Sequence, residues 1–411
     1  MGVAKQVFDY EAGQPTPMLS YEEALSCVLD LASPKAPEAV PLAQILGRLL
    51  AEDLVAPFPF PRFDNSAVDG YAVRFGPYNI FHQIGIKAAG DDTPMHLDED
   101  ECCEVFTGAS LPYFTEAVVM KEYCYREDMA ILTDWDIEPG QHIRREGEEA
   151  QTGDVLVKHG TAVTPPVLGM IASCGLTEFS VHGLPSVSVV TTGDELAMVG
   201  EELGGSQIYE SNSWGIAAAV QSLGLSRTEP IAVADDLAKT VAALERALEA
   251  DVVICSGGVS VGDRDLVREA LGKLGVEQRF WRIAIKPGMP LYFGTLGQKL
   301  VFGLPGNPVS ALVNFYLFVR PALLKLMGAS DVRNKTLKVP LAEPVRKKAG
   351  KTEFVRAVMD GDRVRPTSGR GSHMLGGLAN ATGLLVLPPD CAGLEEGSVV
   401  EYMPLNWSGL S

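Results

Sequence analysis

The sequence predicts a multidomain α/β plus all-β protein, and three observations carry that prediction. From Pro185 to about Met327, short β-branched runs alternate with helix-like patterns, the mark of a parallel sheet with crossover helices. Between Pro57 and Arg144, short strand-like pieces such as Glu104-Val105-Phe106, Ala117 to Met120 and Ala130 to Leu132 alternate with turn signals. After Ser330 the pattern turns to β again, in Phe354 to Val358 and Leu384 to Leu387. A chain of 411 residues is also too long for one core. The expected layout is a tail (1–18), a helical linker domain (19–56 with 145–178), a β-rich insertion domain (57–144), a parallel α/β domain (179–328) and a small C-terminal β-barrel (329–411).

In chain order, Ser20-Tyr21-Glu22-Glu23 is a capping box that starts a helix with Ala24, Leu25, Val28 and Leu29 on one face. Ser33 to Pro37 ends it, and Leu42, Ile45, Leu46 and Leu49 continue at helical spacing. Pro57 to Asp64 is extended and leads into the insertion. Thr164-Pro165-Pro166 starts another helix, with Gly175 as its stop. Ser213 to Leu223 and Asp236 to Leu248 are the clearest helices of the α/β region, and the apolar run Pro308 to Leu326 is expected to close it. Gly369 to Ser372 and Gly376-Gly377 are turns between C-terminal strands.

Charge and cysteine content narrow the function. A net charge of −19 excludes broad binding to nucleic acid or anionic membrane. An anionic substrate would then need locally placed basic residues or a metal ion. The seven cysteines form no Cys-x-x-Cys and read as thiols in a reducing compartment. Met1 to Pro17 has no apolar core segment, and Val309 to Val319 is short and interrupted by Asn314, so a cytoplasmic protein is expected.

Three glycine-bearing segments follow β-branched runs: Thr191 to Leu196, Ser256 to Asp265, and Gly303 to Ser310. In an open α/β sheet, the loops at the carboxyl ends of strands hold the ligand. Ser256-Gly257-Gly258 lets backbone N–H groups approach an anion, and Ser260 lies in the same loop. Gly193-Asp194-Glu195 places two carboxylates at a strand end. Gly262-Asp263-Arg264-Asp265 adds the carboxylates that a Mg²⁺–phosphate site needs. In Asp235-Asp236, the second residue is equally well placed as an N-cap. Pro305-Gly306-Asn307-Pro308 is a rigid turn whose Asn307 and Pro308 suit N-cap and N1, leaving Pro305-Gly306 for close ligand approach. Lys286, in Ile285-Lys286-Pro287-Gly288-Met289-Pro290, lies between two strands of one sheet and favours an anion contact.

Outside this region, Asp64 to Tyr71 is either an Asx-rich turn or a hydroxyl- and metal-binding loop. Arg144-Arg145-Glu146-Gly147-Glu148-Glu149 reads first as a solvated charge run, although arginines also suit flat oxyanions. The six histidines are scattered and no serine sits in a Gly-x-Ser-x-Gly elbow, so neither a zinc site nor a serine nucleophile is supported.

Taken together, Asp64 to Ala72, Thr192 to Leu196, Ser256 to Gly262, Lys286-Pro287-Gly288 and Gly303 to Ser310 resemble the MoeA family, the molybdopterin molybdenumtransferases, which includes the gephyrin and Cnx E domains. The resemblance runs in the same order from about Leu19 to the C-terminus. It implies that adenylylated molybdopterin binds, its phosphoanhydride is cleaved, and molybdate is inserted into the dithiolene, giving molybdenum cofactor and AMP with Mg²⁺ required. It implies a homodimer with a site completed across the subunit interface, and contact with the upstream adenylyltransferase. Family functional positions fall on Asp69, Thr107, Glu195, Asp235, Asp265, Lys286, Pro305 and Pro308. By analogy, Asp69 and Thr107 act near the metal-insertion end, Glu195, Asp235 and Asp265 hold Mg²⁺ or the pterin and phosphate groups, and Arg145 and Ser372 approach the substrate.

Three departures stand out. Val68 replaces the usual Met, Glu149 stands where an Asp is common, and Met289 stands where a second Lys is frequent, a loss that implies weaker binding of the anionic substrate or compensation by Arg145 or Arg370. Rival readings are a nucleotide pyrophosphatase or CinA-like enzyme on the same α/β domain and a non-catalytic scaffold. The insertion and the C-terminal β domain argue against the former, and the absence of a long linker argues against the latter.

Overall fold

The computed structural model describes residues 18–226, 228–258, 266–369 and 371–407. They form two compact units: one holds 18–51, 160–164 and 178–407, the other 52–159 and 165–177. The stretch expected as a helical linker is divided between them, because its first helix is part of the larger unit's core. That helix, Tyr21–Leu31, starts at the expected capping box: Ser20 Oγ accepts from Glu23 N at 3.3 Å, while Ser20 N donates to Glu23 Oε2 at 2.8 Å. Its buried face, Ala24, Leu25 and Val28, packs with Phe315, Phe318 and Leu323.

The second helical pattern, Leu42 to Leu50, does not form a helix. Pro37–Pro41 is a strand pairing antiparallel with Glu178–His182, and only Leu42–Gln44 makes a 3₁₀ turn. Pro41 has no N–H to donate, and Gly47 adopts φ 79°, so the chain turns where the apolar spacing suggested it would coil.

The α/β sheet has six strands in the order Ile231–Val233, Val187–Thr192, Val252–Ser256, Lys299–Leu304, Tyr292–Leu296, Glu277–Trp281. The first four are parallel, and Tyr292–Leu296 runs antiparallel to both its neighbours, which corrects the expectation of a parallel sheet. Only Gly297 and Gln298 join Tyr292–Leu296 to Lys299–Leu304, and two residues can close a hairpin but not a crossover. Helices Asn212–Gln221, Leu237–Ala247 and Leu266–Lys273 flank the sheet. The run Pro308–Leu326 has the length and apolarity to cross a bilayer, yet 89% of its most apolar window is buried within the fold, so it serves as a core helix.

In the C-terminal region, Ile285–Lys286, Thr352–Asp360, Gly383–Leu387, Val399–Pro404 and Leu337–Pro340 follow one another in a sheet, with Arg363–Pro366 against Thr352–Asp360. A bridge from Leu341 to Val364 brings the last strand back to Arg363–Pro366 and closes the ring around Val355, Leu385 and Tyr402. The smaller unit is built on a six-stranded sheet ordered Ala117–Met120, Gly70–Val73, Glu101–Val105, Ile80–Lys87, Ala130–Leu132, Tyr125–Glu127. Apolar side chains cover both of its faces.

Candidate active site

Register places the site. Thr191 lies opposite Ser256, Ser256 opposite Leu304, and Thr192 opposite Val233. Four neighbouring parallel strands therefore end together, and the loops that carry Asp235, Gly193-Asp194-Glu195, Gly257-Gly258 and Pro305-Gly306-Asn307 emerge side by side along one sheet edge.

Close backbone approach holds these loops to one another. Gly257 (φ 92°) and Gly258 (φ 62°) sit in the left-handed region, and a Cβ on Gly257 would lie 2.5 Å from the Thr192 carbonyl oxygen. Asn212, the first residue of its helix, donates from Nδ2 to Ser256 Oγ at 2.9 Å and to the Gly306 carbonyl at 2.7 Å, tying the second loop to the third. Thr191 and Thr192 have buried hydroxyl oxygens with no hydrogen-bond partner among the described residues. Orphaned buried hydroxyls are costly, and beside a glycine cradle they suit a polar ligand.

At the other end of the edge, Asp194 Oδ1 accepts from Asp235 N at 3.0 Å, so two carboxylate-bearing loops are joined. Asp236 caps its helix by accepting from Lys239 N at 2.8 Å, which settles it as an N-cap. Among the described residues no three carboxylate, imidazole or thiol groups cluster as a metal site. Glu195 and Asp235 on adjacent strand ends are nonetheless the hard oxygen donors that Mg²⁺ takes, since this ion binds through one or two carboxylates plus substrate phosphates and water. Ser260 and Asp265 lie outside the described residues.

Beyond Pro305 the edge opens into a cavity of about 400 Å³ shared with the C-terminal region and lined by Lys286, Met289, Pro305, Asn307, Lys351, Glu353, Arg356 and Ser372 among others. Lys286 lies, as expected, between two strands of the α/β sheet, Glu277–Trp281 and Tyr292–Leu296. Ile285–Lys286 itself pairs in parallel with Thr352 and Glu353, and Lys286 Nζ donates to the buried Glu353 at 2.9 Å. Buried Asn314, in the core helix, donates to the Gly288 carbonyl at 3.0 Å and so anchors this turn from below. Asn307 occupies the N-cap position but makes no capping bond with its side chain, which faces the cavity.

Arg356 is buried, and burial pulls its guanidinium below the ordinary arginine range. It donates to the carbonyls of Gly369, Gly371 and Met374, fixing the loop that carries Ser372. That loop also accepts from Val309 N through the Ser372 carbonyl at 3.1 Å. Lys351 Nζ rests 3.0 Å from Met289 Sδ, so a cation stands beside the residue that departs from the family pattern. It comes from position 351; Arg370 lies outside the described residues.

In the smaller unit, Asp69 and Thr107 are in contact although 38 positions apart: Asp69 Oδ1 accepts from both Thr107 N and Thr107 Oγ1 at 2.7 Å. The backbone hydrogen bond, then the hydroxyl, hold the Asp69 carboxyl below its usual range. Arg145 is paired to Asp64 at 2.6 Å, and Glu146 N donates to the other Asp64 oxygen, so the Asx-rich turn and the arginine run stabilise each other. Glu149 N donates to the Phe60 carbonyl.

The comparisons with known proteins agree along the whole chain. Residues 19–175 match the MoeA N-terminal region (domain I and II), 188–325 a probable molybdopterin binding domain, and 338–405 the MoeA C-terminal region (domain IV). A molybdopterin molybdenumtransferase 2 of Mycobacterium tuberculosis H37Rv is 37% identical over 408 residues, covering 95% of this chain and all of the relative. The chain belongs to the MoeA family. A Haemophilus influenzae molybdopterin molybdenumtransferase is 35% identical over 401 residues, covering 95% of this chain and 99% of its own. The crystal structure of a molybdopterin biosynthesis MoeA protein from Pyrococcus horikoshii OT3 superposes with a TM-score of 0.81 at 30% identity, covering 95% and 100% of the two chains. The MoeA match extends over the β insertion and the C-terminal region, which a pyrophosphatase built on the central domain alone would not need. Four residues were missed in the sequence: Asn212, Asn314, Lys351 and Arg356. A polar residue inside an apolar helix, Asn314, was the one visible signal among them.

Proposed function

We propose that this chain takes adenylyl-molybdopterin and molybdate, inserts the metal into the dithiolene, and releases AMP and molybdenum cofactor. One observation carries the mechanism: four strand-end loops aligned and interlocked beside a cavity that ends in cationic side chains. The glycine cradle at Gly257-Gly258 binds the extended, polar organic substrate through backbone donors, with the Thr192 hydroxyl beside it. Asn212 keeps that cradle registered with Pro305-Gly306. Lys286 and Ser372 at the far end bind and orient the tetrahedral oxyanion, and Asn314 and Arg356 keep their loops in place. Glu195 and Asp235, with Asp265, would hold Mg²⁺, which supplies charge neutralisation for the departing phosphate. Asp69, kept ionised by Thr107, would act at the metal-insertion end, with the site completed in a homodimer and substrate received from the upstream adenylyltransferase. Its cysteines are free thiols, in keeping with a cytoplasmic protein.

The test is direct. Purified protein supplied with adenylyl-molybdopterin, molybdate and Mg²⁺ is expected to release AMP in molybdate-dependent fashion. A folded protein that releases none would end this reading. Glu195→Gln is expected to lower the rate about tenfold or more, because a lost metal ligand weakens charge stabilisation in the transition state.

A further inference from the structure

A second concavity, of about 790 Å³, opens beside the cavity just described and shares Lys286, Lys351 and Glu353 with it. Its remaining walls are Arg346, Lys347, Lys348, Ala349 and Gly350. The segment Pro344-Val345-Arg346-Lys347-Lys348-Ala349-Gly350-Lys351-Thr352 thus brings four cations and no acid to one groove, in a chain with 53 acidic and 34 basic residues.

A run of lysines is usually a solvated face, and here the pairing argues otherwise. Arg346 is matched by Glu395 at 2.7 Å, and the one carboxylate in the groove, Glu353, is engaged by Lys286. Lys347 Nζ donates to the carbonyls of Pro388 and Cys391, and Lys351 Nζ rests on the Met289 sulfur. Among the described residues, Lys347, Lys348 and Lys351 have no carboxylate within ion-pair distance. Their charges add across the groove, and a concave wall of low dielectric focuses the resulting field. The field points at the mouth of the cavity that holds Lys286 and Ser372.

We propose that Lys347, Lys348 and Lys351 form an anion-collecting vestibule that delivers a dianionic tetrahedral group to the Lys286–Ser372 cavity. The inference rests on the functional reading above, in which the oxometalate is itself such a group and the pterin substrate carries its phosphates in a phosphoanhydride, one charge on each phosphoryl. On a protein of net charge −19, long-range repulsion would otherwise slow the approach of either one.

Lys348 is exposed and makes no packing contact the fold depends on, so Lys348→Gln is the probing variant, and Lys338→Gln, an exposed lysine on the Leu337–Pro340 strand, is the control with the same net charge. Lys348→Gln is expected to lower kcat/KM about fivefold at low salt with kcat unchanged, the difference fading above about 0.3 M salt as screening takes over. Varying molybdate and the pterin substrate in turn shows which one is steered, and a loss with either supports the vestibule. An equal loss in Lys338→Gln, a loss that persists at high salt, or no loss with either substrate overturns it. Equilibrium dialysis with molybdate alone gives an independent readout. A dissociation constant raised by Lys348→Gln and restored to the wild-type value at high salt would uphold the vestibule even in a protein that released no AMP.

Discussion

The two halves of the candidate site present different physics to a ligand. Along the sheet edge, Gly257, Gly258 and Gly306 offer backbone at close range, neutral hydroxyls stand ready at Thr191 and Thr192, and an amide, Asn212, holds the loops together. The cavity beyond Pro305 is lined by long charged side chains, Lys286 and Lys351, while Arg356 holds a loop of its wall. The first half depends on shape and tolerates no extra atom. The second depends on charge and tolerates some movement. An organic substrate with many polar edges suits the first, and a compact oxyanion suits the second.

That contrast makes a graded set of predictions. Gly257→Val should have the largest effect, because it forces a β-branched side chain into the left-handed region against the Thr192 carbonyl. AMP release should fall about a hundredfold with little change in the KM for molybdate, since strain of about 1–3 kcal/mol adds to a displaced cradle. If both kinetic constants move together, the two halves are not separable. Lys286→Met should do the reverse, raising the KM for molybdate about tenfold through loss of a charge-assisted contact. It also strands the buried Glu353, so Lys286→Met with Glu353→Gln should recover the thermal midpoint but not the KM. Asn212→Ala should slow AMP release about fivefold, in line with the loss of two hydrogen bonds that set loop register.

The smallest effect is expected at Asp69. Its folded carboxyl titrates below the ordinary value, so the stability this group contributes is present above the unfolded-state value and is lost as pH falls through the folded one. Thr107→Val removes the hydroxyl donor and should move the Asp69 titration upward, as read by carboxyl ¹³C NMR. An unmoved titration would mean that the backbone N–H alone sets it.

Much of this was legible in the sequence because it depends on local rules. The capping box at Ser20, the Asp236 cap and the glycine loops after β-branched runs are each determined within a few residues. Two readings failed where a local signal had two meanings. Apolar spacing in Leu42 to Leu50 was overridden by Pro41 and Gly47, and the assumption of a parallel sheet overlooked a two-residue hairpin at Gly297-Gln298. Asp69 was singled out with its Asx-rich loop and Thr107 only through resemblance, and no spacing rule brings together residues 38 apart. Lys351 and Arg356 were invisible for the same reason: a cation just before a strand, or within one, says nothing of the loop it will meet. The pairing of Arg145 with Asp64 likewise gives structural work to two residues that composition left ambiguous.

The strand Ile285–Lys286 has a wider consequence. It leaves the chain between two strands of the α/β sheet yet hydrogen-bonds to the C-terminal ring, and its lysine is neutralised there by Glu353. The central domain is therefore not modular with respect to chemistry. A protein ending near residue 328 could keep its glycine loops and its fold, but its lysine turn would lack both its backbone neighbour and its counter-charge. Recombination between relatives would have to move the two segments as a pair, because a foreign C-terminal region would change both the backbone neighbour and the counter-charge of Lys286 without touching a single glycine loop.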